Sequence, residues 1–179
     1  MKSTPYLIPD NDVDLNVALL LLIISALEKS KKGKLLLNKE KLLIFMYLIK
    51  NPVMLDRVLI QLGDTSLELS EAEFYSINSI SINLDPLFDY QWIKCLIKIC
   101  AIKSLISVSY RKEEGFMFSL TAEGSELASR LEGNYFDGIK NYLRKIEVIK
   151  SESTTNLNRL LNDIFQNSNT AKQYSQYFN

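Results

Sequence analysis

Residues 105–121 read LISVSYRKEEGFMFSLT, and they carry the clearest fold signal in the sequence. Apolar and polar side chains alternate over 105–110 and again over 116–120, as they do in strands with one buried face. The residues between the two runs, 111–115, are mostly charged and end in glycine, which is typical of a hairpin turn. The segment therefore predicts a β-hairpin with a charged tip, followed by a helix that Thr121 caps.

Helical patterns stand on both sides of this hairpin. The helix before it is expected from Asp89 to about Lys103, and the one after it from Ala122 to about Leu131. Upstream we predict a helix from Asp12 or Asp14 to near Ser30, a short strand over 35–37, a helix from Lys39 to Lys50 capped by Asn38, a helix from Asn51-Pro52 to Gly63, and a short helix from the capping box at 70–73 to about Asn78.

A helix, a two-stranded wing and a helix that opens Leu-Thr-Ala-Glu-Gly at 120–124 follow the order of a winged helix-turn-helix domain. The predicted fold class is mostly α with a small β-hairpin wing, in one or more winged helix-turn-helix-like domains with C-terminal amphipathic helices. In that fold the apolar alternation of the hairpin packs on the helix before it. We divide the chain into an N-terminal helical subdomain (1–65), for which an HTH-like arrangement is one alternative, a winged-helix subdomain (66–133), C-terminal helices (134–166) and a flexible tail (167–179).

Composition limits the classes of partner. The chain has 179 residues, 47% of them apolar, and its 21 basic and 21 acidic residues cancel, so no overall field attracts nucleic acid or an anionic membrane. The apolar run from Val17 to Leu27 is too short to span a bilayer and needs cover from its own domain or from a partner. The N-terminus lacks the order of a signal peptide, so we expect a cytoplasmic protein with reduced, buried thiols at Cys95 and Cys100.

The sequence offers no residues for catalysis. It contains no histidine, which removes the usual general base, the commonest metal ligand and the Ser-His and Cys-His nucleophiles. The acidic pairs at 71–73 and 113–114 and the aspartates at 10–14 are better explained as helix caps and a solvated turn. There is also no phosphate-binding glycine loop. We therefore predict a protein that is not an enzyme and that holds no cofactor or metal.

Candidate partner-binding side chains lie in an aromatic cluster at the start of the helix predicted from Asp89 and on the apolar faces, or stripes, of two amphipathic C-terminal helices. They are Tyr90, Trp92, Phe136, Ile139, Leu143, Leu157, Leu160, Leu161, Ile164 and Phe165. The alternative is that the aromatic residues fill the junction between two subdomains and that the stripes pack back on the body of the protein.

Two basic clusters are candidates for nucleic-acid contact. One lies around the first turn (Lys29, Lys31, Lys32, Lys34, Lys39, Lys41), and the other on the helix and wing (Lys94, Lys98, Lys103, Arg111, Lys112). The alternative is that these lysines keep a hydrophobic protein soluble. Glu113 and Glu114 at the wing tip argue against entry into a DNA groove, and the helix has few side chains suited to base readout.

The chain resembles the middle components of prokaryotic three-component systems built around an SMC-like ABC ATPase, including the small subunit of Lamassu-type anti-phage systems. The resemblance rests on the first helix (15–27), Leu48-Ile49-Lys50-Asn51-Pro52, residues 69–76, Asp89-Tyr90 and residues 118–124. It implies a non-enzymatic adaptor that bridges the ATPase to an effector, often a nuclease, with DNA possible within the complex. The rival hypothesis is a winged-helix transcriptional regulator that binds DNA as a homodimer.

Overall fold

The computed structural model describes residues 12–64, 66–69 and 85–175. Seven α-helices and one two-stranded antiparallel sheet lie in these ranges. They are α1 (Val13–Leu27), α2 (Lys39–Lys50), α3 (Pro52–Gln61), α4 (Tyr90–Ile102), β1 (Ile106–Arg111), β2 (Gly115–Leu120), α5 (Ala122–Ser129), α6 (Asn134–Ile146) and α7 (Thr154–Ser175), with a 3-10 helix at Asp85–Phe88. The mostly helical class with a small hairpin is confirmed. The helix predicted from the capping box at 70–73 lies outside the described residues.

The starts of α1, α2 and α4 have side-chain caps, whereas Asn51 at the start of α3 makes no such bond. Asp12 accepts a hydrogen bond from the Leu15 amide at 3.0 Å, and Asn38 accepts one from the Lys41 amide at 2.9 Å. Asp89 does the same at the start of α4, where the Trp92 amide donates at 2.8 Å. Each cap satisfies an amide that the first turn of a helix leaves without an intrahelical partner.

The first helix is the centre of the fold. Residues 19–24 of α1 are almost completely buried, and α2, α4, α5, α6 and β2 all contact this helix. A helix that is apolar on every side needs such cover, because each exposed leucine would cost about 1.5–3 kcal/mol of burial free energy. The chain itself supplies this cover.

The hairpin has the predicted strands, but only its base is buried. Ile106 and Phe118 are buried, whereas Tyr110 and Phe116, near the turn, are 68% and 61% exposed. The expectation that the whole apolar alternation packs on the preceding helix is therefore wrong for the outer half. The physical reason is that α4 ends where the hairpin begins, so the outer half of the hairpin extends beyond the end of α4 and cannot pack on it.

The segment before α2 does not form the short strand expected over 35–37. It makes isolated bridges only, one between Lys29 and Leu35 and one between Asn38 and Met117. The Phe118 amide also donates to the Leu37 carbonyl at 3.0 Å. These contacts place the segment along the outer edge of β2.

The Leu-Thr-Ala-Glu-Gly motif joins the hairpin to α5 by close packing of backbone. Thr121 accepts from the Gly124 amide at 3.0 Å and donates its hydroxyl to the Ser104 carbonyl at 2.7 Å. A Cβ atom on Gly124 would lie 1.9 Å from the Leu105 carbonyl oxygen. Glycine at this position lets the first turn of α5 sit directly against the end of α4.

The C-terminal helices pack back on the body of the protein. α6 lies against α1, α2 and α3, and α7 lies against α2 and α3. α7 continues to Ser175, past Phe165, after which the sequence indicated a loose tail. Residues 166–175 contain no proline or glycine that would end a helix.

The cysteines differ from the expectation. Cys100 is buried, but Cys95 is exposed, so the prediction of two buried thiols is wrong for Cys95. Five residues of helix separate them, which places Cys95 on the outward face of α4 and Cys100 on the inward one. In the described part of the chain, no helix is both long and apolar enough to cross a bilayer.

Candidate partner-binding surface

A groove of about 1080 Å³ opens between the hairpin, the start of α2, the outward side of α4 and the turn that precedes α7. Its apolar lining comes from Ile97 on α4 and from Val108, Phe116 and Phe118 on the hairpin. The turn before α7 contributes residues 151–155. The groove is therefore a joint product of segments more than 100 residues apart in sequence.

Lysines from the two basic clusters meet around this groove. Lys34, Lys39 and Lys41 come from the first cluster, and Lys94 and Lys98 from the second. The two clusters are far apart in sequence, and nothing local indicates that the start of α2 lies beside α4. Their side chains nevertheless have different surroundings.

Lys41 is part of the protein interior. It is 7% exposed, and its Nζ atom donates to the Lys150 carbonyl at 3.0 Å. Burial lowers the pKa of this ammonium group, while the carboxylates of Glu114 and Glu152 act to raise it. Lys41 thus ties α2 to the turn before α7 and offers little to a partner.

The turn of the hairpin is held by an internal ion-pair network. Glu114 accepts from Lys34 at 2.7 Å and from Arg111 at 2.9 Å, and Arg111 also donates to the Leu35 carbonyl at 3.2 Å. The two side-chain hydrogen bonds lower the pKa of the Glu114 carboxyl group. Arg111, a candidate for nucleic-acid contact, is therefore already engaged within the chain, and the Glu114 charge is compensated. Glu113 stays exposed beside them.

The other four basic candidates of the second cluster point to solvent. Lys94, Lys98, Lys103 and Lys112 are exposed, and none has an ion pair within the residues that the structure describes. Lys94 and Lys98 lie one helical turn apart on α4, while Lys103 and Lys112 flank β1 in sequence. This is a local surplus of positive charge on a protein with no net charge.

The aromatic candidates at the start of α4 have lysine partners from α2. The Lys39 Nζ atom lies 4.7 Å from the centre of the Tyr90 ring, and the Lys50 Nζ atom lies 4.9 Å from the centre of the Trp92 ring. Tyr90 is partly exposed and Trp92 half-buried. Their rings join α4 to α2, and one edge of this junction faces solvent, where Phe88 is 67% exposed.

The candidate residues of the C-terminal stripes are covered by the chain itself. Ile139, Leu143, Leu157, Leu161, Ile164 and Phe165 are buried, and Phe136 and Leu160 are half-buried. In this arrangement the stripes form part of the core. Partner binding through them stays a prediction, and it would require α6 and α7 to separate from the body.

The hairpin carries exposed apolar residues that were not among the sequence-based candidates. The rings of Tyr110 and Phe116 stack edge to face with their centres 5.4 Å apart, and Val108 beside them is 45% exposed. All three lie on one face of the hairpin, and Val108 and Phe116 also line the groove. The available signal in the sequence was the presence of two large aromatic residues directly beside a charged turn, because the outer half of a two-stranded hairpin seldom packs into a core.

Among the described residues, no group of three or more Cys, Asp or Glu side chains is placed to hold a metal ion. The surface instead combines apolar side chains with lysines and glutamates, which suits contact with another macromolecule.

One comparison with known proteins gives a match. The model of the family described as "ABC-three component (ABC-3C) system Middle Component 4" matches residues 27–159, well over half of the chain. The match includes α2, α4, the hairpin and α6, and hence most of the groove. Comparison with curated proteins finds no match. Comparison with solved structures finds none either.

Proposed function

Since this chain belongs to the Middle Component 4 family of ABC-three-component systems, we propose that it is the non-enzymatic adaptor of such a system. Membership means that the protein works together with the other components of a multi-component ABC system. The proposed role is to hold an SMC-like ABC ATPase and an effector, a nuclease, in one cytoplasmic complex. The proposed setting is prokaryotic defence against foreign DNA, as in the Lamassu-type systems that the chain resembles.

The proposed architecture is a winged helix. The order α4, β1, β2 and α5 supports it, as does the 35–38 segment along the outer edge of β2. In this arrangement α4 occupies the place of the recognition helix and the hairpin that of the wing. The groove then lies between the two elements that winged-helix proteins use most often for contact.

The observation that carries the adaptor proposal is the family match across residues 27–159. The surface supports it, because the exposed residues of the wing and α4 combine aromatic side chains with unpaired lysines. Aromatic side chains dominate the energetics of many protein interfaces, and lysines around them add electrostatic complementarity to an acidic partner.

A second candidate function is DNA binding by the same surface. The exposed lysines at 94, 98, 103 and 112 favour it, because each is free to contact a phosphate. Two features weaken sequence-specific recognition. Arg111 is engaged by Glu114, and the outward side of α4 offers Gln91 as its only amide side chain for base edges.

Co-expression of the tagged protein with the other components of its system separates the two functions. An adaptor is expected to co-purify with the ATPase in a complex that survives nuclease treatment and 0.5 M salt. A DNA-binding regulator is expected to purify alone and to bind duplex DNA with a logarithmic salt slope of about −0.9 per phosphate contact. Recovery of the tagged protein without the ATPase, together with that salt slope on duplex DNA, would refute the adaptor proposal.

A further inference from the structure

The two edges of the hairpin are not equivalent. On the outer edge of β2, the Phe118 amide donates to the Leu37 carbonyl at 3.0 Å, and the Leu120 amide donates to a Glu28 carboxylate oxygen at 2.8 Å. These two amides point away from β1. In an antiparallel pair, such residues stand opposite partners whose own backbone groups point to the other edge.

The partners on β1 are therefore identified by the register. Val108 stands opposite Phe118 and Tyr110 stands opposite Phe116, so the amides and carbonyls of Val108 and Tyr110 point outward from β1. Neither residue has a hydrogen bond along that edge in the described part of the chain. The side chains along it, from Ser107 to Tyr110, are all exposed. β1 thus presents a row of unpaired backbone donors and acceptors to solvent.

This edge lacks the usual protection against pairing. Natural edge strands are commonly blocked by proline, by a bulge or by a lysine within the strand. Over 106–110 the strand reads Ile-Ser-Val-Ser-Tyr, with no charge, no proline and an uninterrupted register with β2. An open edge next to exposed Val108, Tyr110 and Phe116 is the geometry that extended peptides use when they add a strand to a sheet.

We propose that the outer edge of β1 binds an extended, acidic segment of another component of the same system by strand addition. The inference rests on the adaptor function proposed above and names the surface and the chemistry of its partner. Backbone hydrogen bonds to Val108 and Tyr110 provide the binding energy. Every second side chain of the added strand is apolar and covers the face formed by Val108, Tyr110 and Phe116.

Charge selects the acidic partner over a second copy of this chain. The exposed lysines at 94, 98, 103 and 112 lie on α4 and at the two ends of β1, and they outnumber the two groove carboxylates that have no partner in the described part of the chain, Glu40 and Glu113. Pairing of two β1 edges would bring two such basic surfaces together, and like charges in an interface are unfavourable. A segment that alternates apolar and acidic residues complements both the face and its lysines.

Hydrogen–deuterium exchange on the complex tests the hydrogen bonds directly. The measurement compares the free protein with the complex that forms on co-expression with the other components of its system. The Val108 and Tyr110 amides are expected to exchange fast in the free protein and at least tenfold more slowly in the complex. A complex that forms while both amides keep exchanging fast would overturn this inference and leave the adaptor function intact.

Variants test the same point by affinity. Val108→Pro removes an outward amide without touching the ladder to β2, and we expect a loss of affinity of about tenfold or more. Val108→Thr keeps the amide and the branched side chain and serves as its control, with an expected change within about threefold. Equal loss in both variants, with both folded by circular dichroism, would contradict strand addition.

Charge reversal tests the chemistry of the partner. Lys94→Glu combined with Lys98→Glu is expected to weaken the complex about tenfold at 0.1 M salt and less at 0.5 M. Lys31→Glu combined with Lys32→Glu makes the same change of net charge at another exposed turn and is expected to leave binding unchanged. Equal effects of the two pairs would overturn the acidic assignment. Amide protection that appears in the free protein with rising concentration would assign the edge to a second copy.

Discussion

Replacing Gly124 by alanine tests the packing at the junction of the hairpin and α5. The added methyl group would lie 1.9 Å from the Leu105 carbonyl oxygen and 2.9 Å from the carbonyl carbon. Both are backbone atoms, so no side-chain rotation can relieve the overlap. The same carbonyl accepts from the Thr121 amide at 3.2 Å, and the Leu105 amide donates to Cys100 at 2.8 Å. A shift large enough to admit the methyl group would strain both bonds.

The size of the effect follows from this geometry. Overpacking a buried site typically costs 1–3 kcal/mol, and a clash with fixed backbone belongs at the upper end of that range. We expect Gly124→Ala to lower the free energy of unfolding by about 3 kcal/mol. For a protein of this length that is a fall in Tm of roughly 6–12 °C.

Gly138→Ala is the matched control. Gly138 lies inside α6, and a Cβ atom there would have no heavy atom within 4 Å. Because alanine is the better helix former, this variant is expected to stabilise the protein by about 0.5–1 kcal/mol. Urea titration followed by circular dichroism at 222 nm measures both. A Gly124→Ala protein within about 0.5 kcal/mol of the wild type would refute the packing argument.

Three further predictions concern single side chains. At pH 8, a thiol reagent is expected to modify Cys95 in the folded protein and Cys100 only after unfolding, because burial raises the pKa of the Cys100 thiol to about 11. Ellman titration with and without guanidinium counts the reactive thiols. Two thiols that react fast in the folded state would contradict the burial of Cys100. Glu114→Gln is expected to lose about 1 kcal/mol or less at pH 7, since the ion pairs are partly exposed. The pKa of Glu114 is lowered in the folded protein, so the stability that its ion pairs contribute is present above its ordinary pKa of 4.5 and disappears as the pH falls below that value. If denaturant titrations at pH 2.5 still show the wild type to be more stable than Glu114→Gln, the difference does not come from these ion pairs. Asn38→Ala is expected to cost about 1 kcal/mol in the same titration at pH 7 through loss of the cap on the Lys41 amide, whereas Asn38→Asp keeps the acceptor and should cost much less.

Local sequence was enough to predict most element boundaries. Asn38 and Thr121 were identified as caps, and the first helix was expected to start at Asp12 or Asp14; Asn38, Thr121 and Asp12 each accept a capping amide hydrogen bond. The hairpin at 105–120 was also predicted with its turn. These features depend on residues within a few positions of one another, so their energetics can be inferred from a short stretch of chain. Winged-helix character and the adaptor role depend on more than local pattern and stay proposals.

Tertiary structure decided which side chains are available to a partner. Ile139 and Leu157 belong to stripes that suit either a core or an interface, and their burial depends on α6 and α7 folding back onto α1, α2 and α3. Tyr110 belongs to an alternation that suits a buried strand, yet it lies in the part of the hairpin that extends beyond α4. Periodicity determines which residues share a face, whereas contacts between distant segments determine whether that face is covered. For this reason the amphipathic elements followed from the sequence, while the groove, the meeting of its two lysine clusters and the open edge of β1 arise only from the packing of the whole chain.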